Sequence, residues 1–244
     1  MPATPSWPPE SSIRLFVDRP LAGLPEIRID GAQAHYLIAV MRVKVGIRLK
    51  LFDDISGEWL AEVMQIGKRD LTAKLVAHLR SRETVPDLWL AAAPIRRARY
   101  DWVAEKACEL GVARFIPVLT RRAVVDKVKD NRLFAHMIEA AEQCGRTALP
   151  HLAPQTKLKS WLETVDRTLF FADEEGGARF AKAITSNPGP AAILIGPEGG
   201  FDGEERTLIH AHPHAIPISL GPRILRADTA AVAAVAIWMS CAAA

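Results

Sequence analysis

From Leu88 to the C-terminus, short apolar runs alternate with helical patterns, and that alternation limits the fold more than any other feature of the chain. "LWLAAAPI" reads as a buried strand, and "DWVAEKACELG" follows it as a helix with Val103, Ala107 and Leu110 on one face. Gly111 is placed to end that helix. "RFIPVLT" is the next strand, and Phe134, Met137, Ile138 and Ala141 then share a helical face. "TLFFAD", "AAILIG" and "AIPISLG" follow as strands. Between and after them come the helical patterns "GARFAKAIT", "DGEERTLIHAH" and "ADTAAVAAVAIWMSC". Strand and helix in strict turn predict an α/β domain with a largely parallel sheet.

The first third of the chain reads differently. "IRLFVD", "IRLKLF", "WLAEVMQI" and "LTAKLVAHL" are β-branched or alternating runs punctuated by Gly23, Gly46, Gly57 and Gly67. One helix-like patch, "AQAHYLIAVMR", interrupts them. The pattern predicts a small β-barrel. "SRETVP" is a polar connection in which Pro86 breaks any running element. The expected domains are therefore residues 1–82 and 83–244.

The 244 residues are about half apolar, so a sizeable core is available. No apolar run is long enough and free enough of charge to span a bilayer. Residues 230–244 read as a docked C-terminal helix, and "MPATPSWPPESS" reads as a loose leader without the features of a signal peptide. A cytoplasmic protein is expected. The three cysteines, Cys108, Cys144 and Cys241, are far apart and form no CxxC pair, which supports neither a zinc ribbon nor a disulfide framework. Net charge is +3. Basic residues outnumber acidic ones over residues 87–165, and the reverse holds over residues 166–244. Arg96, Arg97, Arg99, Arg121, Arg122, Lys127, Lys129 and Arg132 make the first of these stretches locally basic, which fits either a polyanion partner or a solvated helix face.

Two loops carry the chemistry. Gly196-Pro197-Glu198-Gly199-Gly200 follows one strand, and Gly221-Pro222-Arg223-Ile224-Leu225-Arg226 follows the next. In open α/β sheets ligands sit at the carboxyl ends of strands. Glycine there lets backbone approach a ligand closely. Neither loop is a P-loop, a dinucleotide fingerprint or a nucleophile elbow. Glu198 would repel phosphate. A neutral or cationic adenosine-like ligand held by backbone fits better. Asp202 and Glu205 have the spacing of a capping box for the following helix. "HAHPH" (His210, His212, His214) has alternating histidines, but Pro213 disrupts any regular element and no Cys or acidic ligand is close in sequence, so no metal site is expected.

"LIGPEGGF" followed by "SLGPRILRADTA" resembles the RsmE family of bacterial 16S rRNA (uridine-N3)-methyltransferases, within the SPOUT superfamily. "EKACELGVARFIPV", "AAEQCGRTALP", "RLFVDRPL" and "HYLIAVMRVKVG" extend the resemblance over nearly the whole chain from Arg14. The resemblance implies a C-terminal domain threaded into a trefoil knot, an N-terminal PUA-like β-barrel that binds RNA, and a homodimer. It implies S-adenosylmethionine as cofactor and the uridine at position 1498 of 16S rRNA, in the small ribosomal subunit, as target. Gly196, Pro197, Glu198, Gly199, Gly200, Leu220, Gly221, Ile224 and Leu225 would line the cofactor, with Phe171 and Ala172 as a third wall.

The positive sulfonium makes an acidic loop acceptable at such a site. Uracil N3 is a weak acid, so its proton needs a base or a charge that stabilises the anion. Glu198 and Asp228 are the candidate bases, and Arg226 the candidate stabiliser. The family pattern has Glu where this chain has Asp228, so Asp228 could instead cap the last helix. Arg226 could instead pair with Glu198 or Asp228. Arg14, His35, Arg42, Arg96, Arg97, Arg121, Arg122 and Arg223 are the expected RNA contacts. The rival readings are a SPOUT enzyme acting on tRNA or on ribose 2′-OH, and a non-catalytic RNA-binding assembly factor.

Overall fold

The computed structural model describes residues 13–242, and the stretch read above as a loose leader lies outside them. The chain forms two compact units, one running to Thr84 and including Gly145–Ala148, the other comprising Val85–Cys144 and Leu149–Ala244.

The N-terminal unit is a five-stranded, curled mixed sheet. Its strands are β1 (Arg14–Phe16), β2 (Glu26–Asp30), β3 (Arg48–Asp53), β4 (Gly57–Ile66) and β5 (Asp70–Arg80), in the order β1-β3-β4-β5-β2. Only β1 and β3 pair in parallel. Side chains alternate across a strand, so Ile27, Ile29, Leu49, Leu51, Ala61, Val63, Leu71 and Ala73 all reach one core. The helix-like patch is a short helix α1 (Gly31–His35) continuing into a π-helical turn, Tyr36–Val40, with Ala34 and Leu37 buried.

A tight turn joins β3 to β4. Asp53, fully buried, accepts from the backbone N–H of Leu21 and of Ile55, both at 2.7 Å, and from Ser56 Oγ at 2.5 Å. Gly57 closes the turn at φ +97, and a Cβ there would collide with the Arg80 carbonyl. Beside it, Glu58 accepts from Arg14 Nε at 2.5 Å and from Arg80 Nε at 2.9 Å. Arg14 lies over the Phe52 ring and also donates to the Arg146 carbonyl at 2.6 Å. Glu83 accepts from the Thr147 and Ala148 amides at 2.7 and 3.1 Å. Gly145–Ala148, part of the "AAEQCGRTALP" stretch, is therefore a piece of this unit although it lies far along the chain.

The second unit has an eight-stranded sheet in which every pairing is parallel. Its strands are β6 (Leu88–Ala92), β7 (Arg114–Leu119), β8 (His151–Leu152), β9 (Thr156–Lys157), β10 (Thr168–Ala172), β11 (Ala178–Arg179), β12 (Ala191–Ile195) and β13 (Ala215–Ser219). The order is β11-β13-β10-β12-β6-β7-β8, with β9 on β7. The helices are α2 (Arg97–Glu109), α3 (Asp130–Cys144), α4 (Leu158–Leu162), α5 (Phe180–Ser186), α6 (Gly203–His210) and α7 (Ala227–Ala242). α2, α3, α5 and α7 pack among themselves, and α4 packs with α6. Adjacent residues on β10 show that these groups cover opposite faces. Phe170 meets Phe180 of α5 edge-on, with ring centroids 5.1 Å apart. Phe171 meets His210 of α6 at 4.9 Å.

Three local expectations shift. The buried face of α3 is Leu133, Met137, Ala140 and Ala141, one residue round from the expected stripe. β8, β9 and α4 were not resolved by the pattern. Ala178–Arg179, expected as helix, adds a parallel strand beside β13. Gly177 allows this, because a Cβ there would collide with the Pro217 carbonyl. The Ala-rich end is α7, whose Ala230, Ala231, Ala234, Val235 and Trp238 are buried. Its small side chains let it lie on β12 and β6.

Candidate functional site

Three neighbouring strands, β13, β10 and β12, end at the same edge of the sheet, and their loops enclose a cavity of about 440 Å³. Residues 173–176 follow β10, residues 196–201 follow β12, and residues 220–226 follow β13. Gly200 sits at φ +66 and Gly221 at φ +132, backbone conformations that side-chain-bearing residues rarely adopt. A Cβ on Gly200 would come within 3.0 Å of Glu174 Oε1, and one on Gly196 within 3.2 Å of the Phe201 ring. At both glycines the backbone thus lies close against a neighbouring side chain.

The second loop is held from two directions. Asp202 caps α6, accepting from the Glu205 N–H at 2.7 Å, while the Glu205 carboxylate accepts from the Asp202 N–H at 3.2 Å. The spacing read from the sequence is therefore a full capping box. Glu205 also accepts from the Arg121 N–H at 2.7 Å. The Arg121 guanidinium pairs with Asp202 at 3.0 Å and Glu204 at 2.5 Å, and Arg122 donates to the Gly199 carbonyl at 2.7 Å. The backbone hydrogen bond from Glu205, reinforced by Arg121, holds the Asp202 carboxyl below the usual range.

The chain matches the model of an RNA methyltransferase domain over residues 81–239, and that of an RNA methyltransferase PUA domain over residues 29–76. The chain belongs to this RNA methyltransferase family. It is 32% identical to the ribosomal RNA small subunit methyltransferase E of Rickettsia conorii, covering 91% of this chain and 93% of the relative. The corresponding protein of Bacillus subtilis is 26% identical, covering 84% and 86%. Among solved structures, a Legionella pneumophila methyltransferase in complex with the cofactor SAM superposes with a TM-score of 0.85 at 27% identity, covering 94% of this chain and 97% of that one.

Within this methyltransferase, Ala172, Gly196, Pro197, Glu198, Gly200, Leu220, Gly221, Arg223, Ile224, Leu225 and Arg226 line the cavity. Two expected wall residues do not. Phe171 is fully buried against α6, because it points to the opposite sheet face from Phe170. Gly199 turns away, so that a Cβ on it would rest against the Arg122 side chain at 3.5 Å. Asp228 also lies outside the lining. It pairs with Arg99 at 3.7 Å and accepts from the Thr229 N–H at 2.8 Å, in the first turn of α7. Arg226 is exposed and, among the described residues, pairs with neither Glu198 nor Asp228.

Sequence reasoning missed the acidic wall Asp173, Glu174 and Glu175, together with Arg206. "ADEEGG" was a signal of the same kind as the two loops, an acidic and glycine-bearing run at a strand end. Asp173 is locked by Arg206 at 2.9 Å and His210 at 3.2 Å. His210 thus faces a carboxylate, while His212 and His214 meet edge-on with centroids 5.7 Å apart.

The expected RNA contacts divide. Arg14 is not available to phosphate, because its side chain is 9% exposed and bound to Glu58. Arg121 and Arg122 are exposed but committed to the α6 capping loop. His35, Arg42, Arg96, Arg97 and Arg223 are exposed. Among the described residues no helix is long and apolar enough to cross a membrane.

Proposed function

We propose that the chain methylates N3 of the uridine at position 1498 of 16S rRNA, in the small ribosomal subunit, using S-adenosylmethionine. The observation that carries this is the cavity itself, walled by the paired glycine loops at the carboxyl ends of β12 and β13. The fit to the cofactor is chemical. The glycine-bearing loops suit an adenosine moiety, and Glu174 and Glu198, which have no ion pair among the described residues, suit a cationic ligand. Gly196, Gly200, Leu220, Gly221 and Leu225 would hold it. Bound there, S-adenosylmethionine supplies a methyl group that needs no further activation.

The remaining work falls to two side chains. Glu198 accepts the N3 proton of the uracil, leaving negative charge shared between N3 and the two carbonyl oxygens that flank it. Arg226, facing the same cavity and free of an acidic partner among the described residues, stabilises that charge. Asp228 is a positioning residue at the start of α7. N3 lies on the pairing edge, so the target base is unpaired when modified, and phosphates position the RNA while the base is read in the pocket. His35 and Arg42 on the N-terminal unit, with Arg96, Arg97 and Arg223, supply those phosphate contacts. The reading includes a trefoil knot, which the position of β10 between β12 and β13 supports. It also includes a homodimer and a cytoplasmic setting. The homodimer is supported by Ile224, 89% exposed at the cavity rim.

The test uses labelled S-adenosylmethionine and small ribosomal subunits from cells lacking the modification, with the label mapped by primer extension. A reverse-transcription stop at one unpaired uridine is expected, because N3-methyl blocks pairing. Label on tRNA or on ribose would replace this reading with another methyltransferase. Cofactor binding with no label would leave an RNA-binding assembly factor.

A further inference from the structure

A second cavity, of about 290 Å³, lies in the same unit beyond the carboxyl ends of β6 and β7. Its floor is apolar, formed by Ile95, Tyr100, Val125, Val128 and Leu133. Its rim carries Arg97, Lys127 and Lys129, none of which has an ion pair among the described residues, and the paired Arg132 and Asp101, which also line it. The start of α2 breaks a general electrostatic rule. A helix N-terminus carries partial positive charge and favours acidic residues. α2 instead begins Arg96-Arg97 with Arg99 in its first turn, has no acidic residue there and has no side-chain cap. Positive charge is concentrated where the fold alone would disfavour it, as happens at functional sites.

We infer that this cavity is a second RNA subsite, which takes an unstacked base and its phosphate from the single strand flanking the target nucleotide. The inference rests on the RNA methyltransferase reading above. An apolar slot with a cationic rim suits a base and a backbone phosphate together, and the volume is at the small end for ligand pockets, about 300 Å³ and upwards. The two cavities share one edge of the sheet, since β6 and β12 are neighbours and Ala92 is in register with Ile195. One loop joins them. Residues 120–129 hold the α6 capping loop through Arg121 and Arg122 at one end. The same loop supplies Val125, Lys127, Val128 and Lys129 to the second cavity at the other. A strand of RNA crossing this edge meets both.

The test measures binding of a fluorescein-labelled single-stranded oligouridylate by anisotropy over a salt series, alongside methylation of small subunits. Lys127→Ala/Lys129→Ala is expected to weaken binding about tenfold and to reduce the slope of log K against log salt by roughly 1.4, as for two lost phosphate contacts on a single strand. Val128→Trp, which fills the slot, is expected to weaken binding several-fold with the salt slope kept. In both variants S-adenosylmethionine affinity by calorimetry stays at the wild-type value. Wild-type binding and kcat/KM in both variants would overturn the subsite while leaving the methyltransferase reading intact. A wild-type protein that binds the oligonucleotide through this slot but methylates no subunit would overturn that reading and keep the subsite. Conversion of a dimer to a monomer by Val128→Trp, in sedimentation, would make the cavity a self-interface and overturn the proposal.

Discussion

Arg122 donates from Nη1 to the Gly199 carbonyl oxygen at 2.7 Å, so the loop after β7 fixes the loop after β12. The bond is made to backbone, which explains why Gly199 serves the cavity without lining it. Arg122→Ala is expected to raise the Kd for S-adenosylmethionine by a few-fold, in line with the roughly 0.5–1.5 kcal/mol of one hydrogen bond. Calorimetry on the two proteins checks this, and an unchanged Kd would show that the loop holds its shape without Arg122.

Gly200 is the sharper probe of the wall. At φ +66 valine there meets backbone strain, and its Cβ would sit 3.0 Å from Glu174 Oε1, so that the Glu174 carboxylate must also give way. Gly200→Val should abolish measurable S-adenosylmethionine binding while circular dichroism still reports a folded α/β protein. Full-affinity binding by this variant would remove the loop from the cofactor site.

Arg226→Ala separates chemistry from binding. The side chain is exposed into the cavity and holds up no other described residue through an ion pair. Turnover is expected to fall by about 10²-fold, the scale of a lost charge-stabilising donor, with cofactor Kd kept within twofold. Steady-state kinetics with small subunits decide this, and wild-type kcat would exclude Arg226 from the reaction.

Glu205 joins two elements at once, capping α6 and accepting from the Arg121 N–H. Glu205→Ala removes the reciprocal half of the capping box and takes the acceptor from the part-buried Asp202 and Arg121 amides. A loss of about 1–2 kcal/mol in urea unfolding is expected. No change in the unfolding midpoint would mean that water replaces the carboxylate.

Stability should also fall in acid through Glu58. Burial pushes its carboxyl up, but hydrogen bonds and charge from Arg80 and Arg14 outweigh that and hold it below its ordinary 4.5. The unfolded chain therefore takes up this proton at higher pH than the folded one. The stabilisation is complete above about pH 4.5 and is lost as pH falls through the lowered folded value. Asp53, also lowered against burial by bonds from Ser56 and backbone amides, acts in the same direction. Urea midpoints measured from pH 6 to pH 3 should fall more steeply for the wild type than for Glu58→Gln. Parallel curves would locate the acid sensitivity elsewhere.

Several features were legible because they are local. The capping box at Asp202 and Glu205 depends on residues three apart, and the glycine loops on conformations that few other residues adopt. The strand–helix alternation after Leu88 follows from the two periodicities of side-chain direction. Other features were not legible because they depend on which face a residue finally takes. Phe171 and Ala172 are adjacent, yet only Ala172 reaches the cavity, since neighbours on a strand point to opposite sides. Arg14 looked like a phosphate contact in sequence, and only the arrival of Glu58 and the Arg146 carbonyl turns it inward.

The sequence by itself determined the α/β class of the second unit, the β class of the first, the α6 cap and the two glycine loops. Each of these follows from short-range spacing and from the limited conformations of the backbone. Only the tertiary structure decided that β10 lies between β12 and β13, which brings "ADEEGG" to the same cavity as an acidic third wall. It alone drew Gly145–Ala148 into the N-terminal unit, and it alone gave Asp228 to Arg99 while leaving Arg226 open. These are pairings between residues far apart in the chain. Sequence spacing carries no record of them, because burial and charge compensation select them when the sheet and its helices pack.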